Sequence, residues 1–349
     1  MSDVVRHKRV IERECNYRRY SGDITELDFG DGTKPIKVAI SNGKEGNGTC
    51  LGCHDAPCMI LKSEELSLPD VVSSFPGDPA KNVCPTQAIS WNEAGTSIVV
   101  DAELCIGCCL CVARCPYGAI SSTGEGNVVV EDSDPSGLST IVEESRNTQD
   151  HIDPIRIGNL AQANSQTVGR ILEGLGSLTD IEATRFVRNL LTTIGIACRT
   201  RRKGDTNVRI DGLVSLADGH IGVIEIEFGN SVLESPRALL EDIAILHGRY
   251  DIQLCSIEAI SFIVALPNAR SEYFQVIADI ETVLGIRCRT MTLGAVLTVL
   301  WSNLKIQSLG DNLFVTQSPD TSLLIGMKEH LSSSISNTEP YPGAYQPSK

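Results

Sequence analysis

Eight of the thirteen cysteines fall into two runs. The first is Cys50-x2-Cys53-x4-Cys58, with Cys84-Pro85 further on; the second is Cys105-x2-Cys108-x2-Cys111-x3-Cys115-Pro116. Cysteines at two-residue gaps suit a metal that prefers sulfur. A [4Fe–4S] cube needs one thiolate per iron, so a tight loop wraps three irons and a distant fourth cysteine closes the cage. Zinc also accepts all-cysteine tetrahedral sites built from C-x2-C pairs. Disulfides need an oxidising compartment, and the sequence carries no signal-peptide pattern. The expectation is therefore a reducing, cytoplasmic setting.

An internal repeat narrows the choice. Cys84-Pro-Thr-Gln-Ala-Ile-Ser echoes Cys115-Pro-Tyr-Gly-Ala-Ile-Ser, and a strand is expected after each copy, at 97–100 and 128–130. Two zinc sites would leave this repeat unexplained. Residues 45–131 resemble the two-cluster bacterial ferredoxins, an α+β ferredoxin-like domain, with an insertion at 59–83. That resemblance implies one [4Fe–4S] cluster on Cys50, Cys53, Cys58 and Cys115, and a second on Cys105, Cys108, Cys111 and Cys84. The first run is stretched, with Pro57 before its third cysteine, and resembles the iron–sulfur subunits of multi-subunit oxidoreductases. Gly107 removes a side chain where backbone must pass close to the cube. Cys109 is surplus: a bystander, or a replacement for Cys108 or Cys111. Cys15, Cys198, Cys255 and Cys288 stand alone and read as small buried hydrophobes.

Beyond the cysteines, 349 residues predict two domains with linkers. A net charge of −14 argues against an extended nucleic-acid-coating surface but allows a local basic patch. No 18-residue apolar run is present, so no membrane span is expected. Residues 1–44 read as a basic extension with a helical start (Arg6, Lys8, Arg9, Arg13, Arg18, Arg19) and a strand at 36–40. Residues 132–176, rich in Ser, Asp, Asn and Gly, read as a linker. Residues 177–331 form an α/β domain, and 332–349 a Ser-, Pro- and Gly-rich disordered tail.

Within the α/β domain an amphipathic helix is expected over 177–196, opened by a Thr179-x-x-Glu182 capping box. A basic stretch follows, Arg199, Arg201, Arg202 and Lys203. Next comes a hairpin, 208–216 and 220–228, turning through Ala217-Asp218-Gly219. A two-residue loop would pair Glu225 with Gly212 and mix Ile210 with Glu227 on one face. A three-residue loop with Gly219 left-handed instead gathers Val208, Ile210, Gly212, Val214 and Leu216 with Gly222, Ile224, Ile226 and Phe228. Hydrophobic consistency selects the second register, which sets Asp211 opposite Glu225 and Arg209 opposite Glu227. Further on, a helix from Ser235-Pro236, a strand at 259–266, a helix at 271–284, a strand at 287–289 and a helix at 293–304 complete the domain.

This order, a mixed central sheet flanked by helices, resembles the restriction-endonuclease-like fold of PD-(D/E)xK nucleases over 177–290, short of one strand. The resemblance implies Asp211 and Glu225 as ligands of a hard cation such as Mg²⁺, which would activate water. Glu227, where the family has Lys, would be a base or second-metal ligand, and Glu182 a further carboxylate. Arg199–Lys203 would contact phosphate backbone. The same residues also fit a solvated sheet face carrying an Arg209–Glu227 charge pair.

Three functions remain open. The first is an electron carrier for a redox partner, such as a multi-subunit oxidoreductase, with the α/β domain docking or regulating. The second is an iron–sulfur nuclease or nucleic-acid sensor. The third is a structural nuclease-like fold used in assembly. Neither G-x-G-x-x-G nor a phosphate loop is present, which disfavours a self-contained flavin or nicotinamide reductase.

Overall fold

The computed structural model describes residues 56–93, 98–115, 120–122, 128–130, 165–205, 208–216, 219–229, 232–302, 304–306, 323, 325–327 and 343–348, with the backbone of four short strands before residue 50. Cys15, Cys50 and Cys53 lie outside the described residues, as do 131–164 and most of the C-terminal tail. The chain divides into two units: 1–60 with 82–158, and 61–81 with 159–349.

In the first unit, β1 (Lys8–Ile11) pairs antiparallel with β2 (Tyr17–Arg18) and with β3 (Lys37–Ser41), which continues to β4 (Gly48–Thr49). The basic start is thus strand rather than helix. β3 claims its backbone from Lys8↔Ile40 to Ile11↔Lys37, a long-range pairing that no local period announces. The repeated heptapeptide then generates two matching hairpins. Ile89 opens β5 (Ile89–Trp91), paired with β6 (Ile98–Val100), and Ile120 opens β7 (Ile120–Ser122), paired with β8 (Val128–Val130). Between them lies the short helix α1 (Leu110–Arg114).

The second unit begins within the region expected to be linker, at α2 (Ser165–Leu175). Val168, Ile171 and Leu175 recur at helical spacing and are buried; Gly169 and Gly174 between them had diluted the signal. Then follow α3 (Asp180–Thr193), β9 (Ala197–Thr200), β10 (Gly212–Ser215), β11 (Ile221–Glu227), α4 (Ser235–Tyr250), β12 (Ile257–Ile263), α5 (Glu272–Leu284), β13 (Cys288–Thr292) and α6 (Leu293–Trp301). The five strands form one mixed sheet in the order β13-β12-β11-β10-β9. β10 runs antiparallel to both neighbours, whereas β11, β12 and β13 are parallel.

The strand absent from the sequence reading is β9. It alternates half-buried and buried positions, with Cys198 and Thr200 inside and Arg199 outside, so a charged residue masked a short strand. The hairpin register is the one hydrophobic consistency selects: Gly212↔Ile224, Leu213↔Val223, Val214↔Gly222 and Ser215↔Ile221. Gly219, at φ +84°, takes the left-handed position that this loop requires.

Residues 61–81 are not an appendage of the cysteine domain. Their two arms leave and return side by side, through Val83 N–H to Met59 O (2.8 Å), the bridge Ile60↔Asn82, and Leu61 N–H to Lys81 O (2.8 Å). Leu61, Val72 and Phe75 are buried. The segment joins the edge of the sheet just beyond β9. Gly77 bridges Arg201, Asp78 N–H donates to Thr200 O (2.7 Å), and Arg202 N–H donates to Pro76 O (2.8 Å). The Asp78 carboxylate lies 2.7 Å from Arg185 Nε and 3.7 Å from Arg188 Nη1, both on α3.

The described end of the tail is ordered, contrary to its composition. Leu266 N–H donates to Gly343 O and Ala269 N–H to Ser348 O, while Thr292 Oγ1 donates to Ala344 O. Ala344 and Tyr345 are buried, and the Tyr345 hydroxyl pairs with Thr298 Oγ1. Tertiary hydrogen bonds fix a Pro/Gly-rich segment that cannot organise itself.

Asp78→Ala removes the carboxylate facing Arg188, whose side chain is fully buried. Stranding such a charge costs about 3–5 kcal/mol. Urea unfolding followed by tryptophan fluorescence should show that loss, whereas Arg202→Ala, at a 59% exposed side chain, should change little.

Candidate metal centre and the acidic sheet face

Cys105, Cys108 and Cys111 come from the loop entering α1 and from its first turn. Gly107, at φ +70°, lets that loop turn tightly. Cys84 arrives from the other repeat, with the Thr86 hydroxyl 3.5 Å from its Sγ and Asn82 Nδ2 donating to its carbonyl (3.2 Å). All four cysteines line one cavity, closed by Ala88, Ile89, Val100, Ile106, Leu110 and Val128.

This set fits an iron–sulfur cube. Four of the cysteines lining this apolar-walled cavity come from two segments, Cys84 and the 105–111 run. Burial, then neighbouring cysteines, pushes the Cys108 and Cys111 thiols well above their usual range. Bare thiolates are therefore disfavoured there, and a cationic metal core, when bound, would supply the compensating charge. Cys109 is buried in a left-handed conformation and donates its thiol to Gly107 O (3.3 Å). Although it also lines the cavity, that hydrogen bond accounts for the extra sulfur.

Of the other proposed set, Cys58 and Cys115 are described. They are 4% and 5% exposed and share one buried group with Ile89, Ile98 and Ile120. Cys198 and Cys288 are buried as expected, and burial pushes each thiol up to about 12. Cys255 is exposed, contrary to the expectation.

The acidic residues of the second unit divide differently from the sequence reading. Glu182 is spent on the helix start: its carboxylate accepts from Thr179 N–H (2.9 Å) and Thr179 Oγ1 (2.8 Å), and these bonds lower its pKa. Asp211 accepts from Ile226 N–H (3.1 Å) and lies 3.5 Å from Arg201, yet burial raises its pKa overall. Glu225 is pushed up to about 8 by burial, then by Asp211 and Asp242. Glu227 accepts from Gly229 N–H (2.5 Å). Arg209 pairs with Glu241 (3.0 Å) on α4 instead of Glu227 across the hairpin.

Asp242 was not foreseen. It sits on α4, 2% exposed, with Oδ2 lacking a hydrogen-bond partner, and burial followed by Asp211 pushes it up to about 7. Its only sequence signal is a carboxylate amid the apolar Leu239, Ile243 and Leu246. Among the described residues, no three His, Cys, Asp or Glu side chains are placed to hold a single metal ion. The described carboxylates therefore lend the Mg²⁺ reading no support.

Comparison with known proteins bears on the cysteine segment. Residues 76–125 match the family model described as the LdpA Fe-S cluster-binding domain. This segment is an iron–sulfur domain of ferredoxin type. Similar curated proteins include hydrogenase-4 component A of Escherichia coli, 38% identical over 90 residues (23% of this chain, 43% of that protein). The polyferredoxin-like subunit of an aliphatic sulfonate oxidoreductase from Pyrococcus furiosus is 38% identical over 69 residues (19% and 39%). The electron transport protein HydN of Escherichia coli is 38% identical over 93 residues (26% and 52%). The chain spans about two-fifths to one-half the length of these relatives. No solved structure matches it.

The carboxylate group sets a pH dependence. Glu225 and Asp242 bind protons more tightly folded than unfolded, where carboxyls titrate near 4. Stability should fall as pH rises from about 4 to about 8 and level off above. Thermal melts across that range should show the decline, and Glu225→Gln and Asp242→Asn should each flatten it by raising the midpoint at pH 8–9.

Proposed function

We propose that the chain is an electron-transfer protein holding two [4Fe–4S] clusters and serving a partner oxidoreductase. Cys105, Cys108, Cys111 and Cys84 hold one cluster; Cys50, Cys53, Cys58 and Cys115 hold the other. The observation that carries this reading is the cavity ringed by Cys84 and the three cysteines around α1. Each cube, when bound, supplies a site that takes up and releases one electron at a time.

The chain's own residues do the rest. The apolar wall of Ala88, Ile89, Ile106, Leu110 and Val128 limits water at the sulfurs. The two hairpins hold ligands that each repeat contributes across to the other. Relatives named as hydrogenase and sulfonate oxidoreductase components support a redox partner of multi-subunit kind. The second unit is then a docking or regulatory domain, linked to the cysteine domain through 61–81. A nuclease reading of the sheet is not favoured, because Glu182 serves as a cap and Asp242 stands without a ligand-sharing partner set.

Anaerobic analysis should find about eight irons and eight sulfides per chain. Cys84→Ala should remove about half of each, and Cys109→Ala should remove none. Retention of full iron content by Cys84→Ala would overturn the ligand assignment.

A further inference from the structure

The stretched loop before Cys58 is held by a side chain from the opposite half of the cysteine domain. Arg114, the last residue of α1 and 8% exposed, donates from Nε to the Pro57 carbonyl at 2.6 Å. Pro57 immediately precedes Cys58, and Arg114 immediately precedes Cys115. One guanidinium therefore ties together the peptides leading into two cysteines that share a buried group.

The loop needs such a tie. Ala56 sits at φ +36°, which an L-residue adopts only at a cost. Its carbonyl accepts from Met59 N–H (2.8 Å) and Ile60 N–H (2.9 Å), which closes a tight turn around Cys58. Without Arg114 the Pro57 carbonyl would lose its charged donor. Guanidinium also brings a permanent positive charge into a low-dielectric setting.

We propose that Arg114 is a positioning residue for Cys58, and that its charge raises the reduction potential of the cluster shared by Cys58 and Cys115. The proposal rests on the two-cluster reading above. Reduction adds one negative charge to the cube, so a fixed cation beside it favours the reduced form, while the other cluster feels it less.

The test uses the full chain, reconstituted anaerobically, as wild type, Arg114→Ala and Arg114→Lys. Each is measured alone and in Cys84→Ala and Cys58→Ala backgrounds, by iron and sulfide analysis and by redox titration followed by electron paramagnetic resonance. Arg114→Ala should shift the reduction equilibrium about tenfold toward the oxidised form, about 59 mV for one electron. That shift should occur in the Cys84→Ala background and be absent in the Cys58→Ala background. Arg114→Lys should recover most of the potential, since it keeps the charge. Loss of about half the iron by Arg114→Ala would support the positioning role, with Arg114→Lys restoring it. Unchanged potential and iron content, or an equal shift of both clusters, would overturn the proposal. Only about four irons in the wild type would overturn the two-cluster reading itself, before any variant is compared.

Discussion

The severest constraint on this chain is that Cys84 must return to the ring formed by Cys105, Cys108 and Cys111 after residues 61–81 have joined the other unit. A free loop of that length would add closure entropy to every step that places Cys84. Instead, the excursion is ordered at both ends. Its arms pair from Met59/Val83 to Leu61/Lys81, and its tip is clamped by Asp78 between Arg185 and Arg188. Leu61, Val72 and Phe75 contribute apolar burial, so the second unit's core supplies the ordering free energy. The path of residues 61–81 thus depends on a carboxylate within that segment, Asp78, and on its two arginine partners.

That clamp is costly in isolation. Asp78 is 5% exposed and Arg188 is fully buried, so both charges are desolvated. Three further bonds make the arrangement tolerable: Asp78 N–H to Thr200 O, Asp78 Oδ1 from Ala80 N–H, and Arg188 Nε to Asn189 Oδ1. A buried ion pair is better evidence for specificity of register than for stability. Here the register at stake is which residue of 61–81 meets the edge at Arg201.

What could be read from the sequence follows from what enforces each feature locally. The cysteine spacings are legible because iron–sulfur binding favours such short gaps, and the Cys-Pro-x-x-Ala-Ile-Ser repeat is legible because each copy begins the same hairpin. The 212–224 register is legible because a one-residue slip would move Glu225 and Ile224 to the wrong faces. By contrast, β1, β9, the 61–81 segment and the docked Gly343–Ser348 stretch are held by partners distant in the chain. Composition reads β1 as helix, β9 as a basic stretch and the 343–348 segment as disordered tail, and it does not show what the insertion packs against. The last part of the expected linker, 165–175, is helix for a different reason: α2 carries its apolar residues at regular spacing, but glycines and serines surround them.

The acidic face shows why a correct register does not by itself deliver a site. Asp211 and Glu225 are cross-strand neighbours, as the hairpin requires, yet each is committed in a way a cross-strand pattern cannot reveal. Asp211 accepts from Ile226 N–H and faces Arg201, while Glu225 is desolvated beside Asp242. Whether carboxylates bind a cation or hold protons depends on what lies above the sheet, and here that is α4. A helix that brings a third buried carboxylate, its Oδ2 without a hydrogen-bond partner, raises the pKa values of Glu225 and Asp242 into the neutral range. The gathering of Cys84 with Cys105, Cys108 and Cys111 around one cavity survives translation from sequence to structure because short cysteine spacing is itself a local constraint. Carboxylate function does not, because its decisive partner is supplied by tertiary packing.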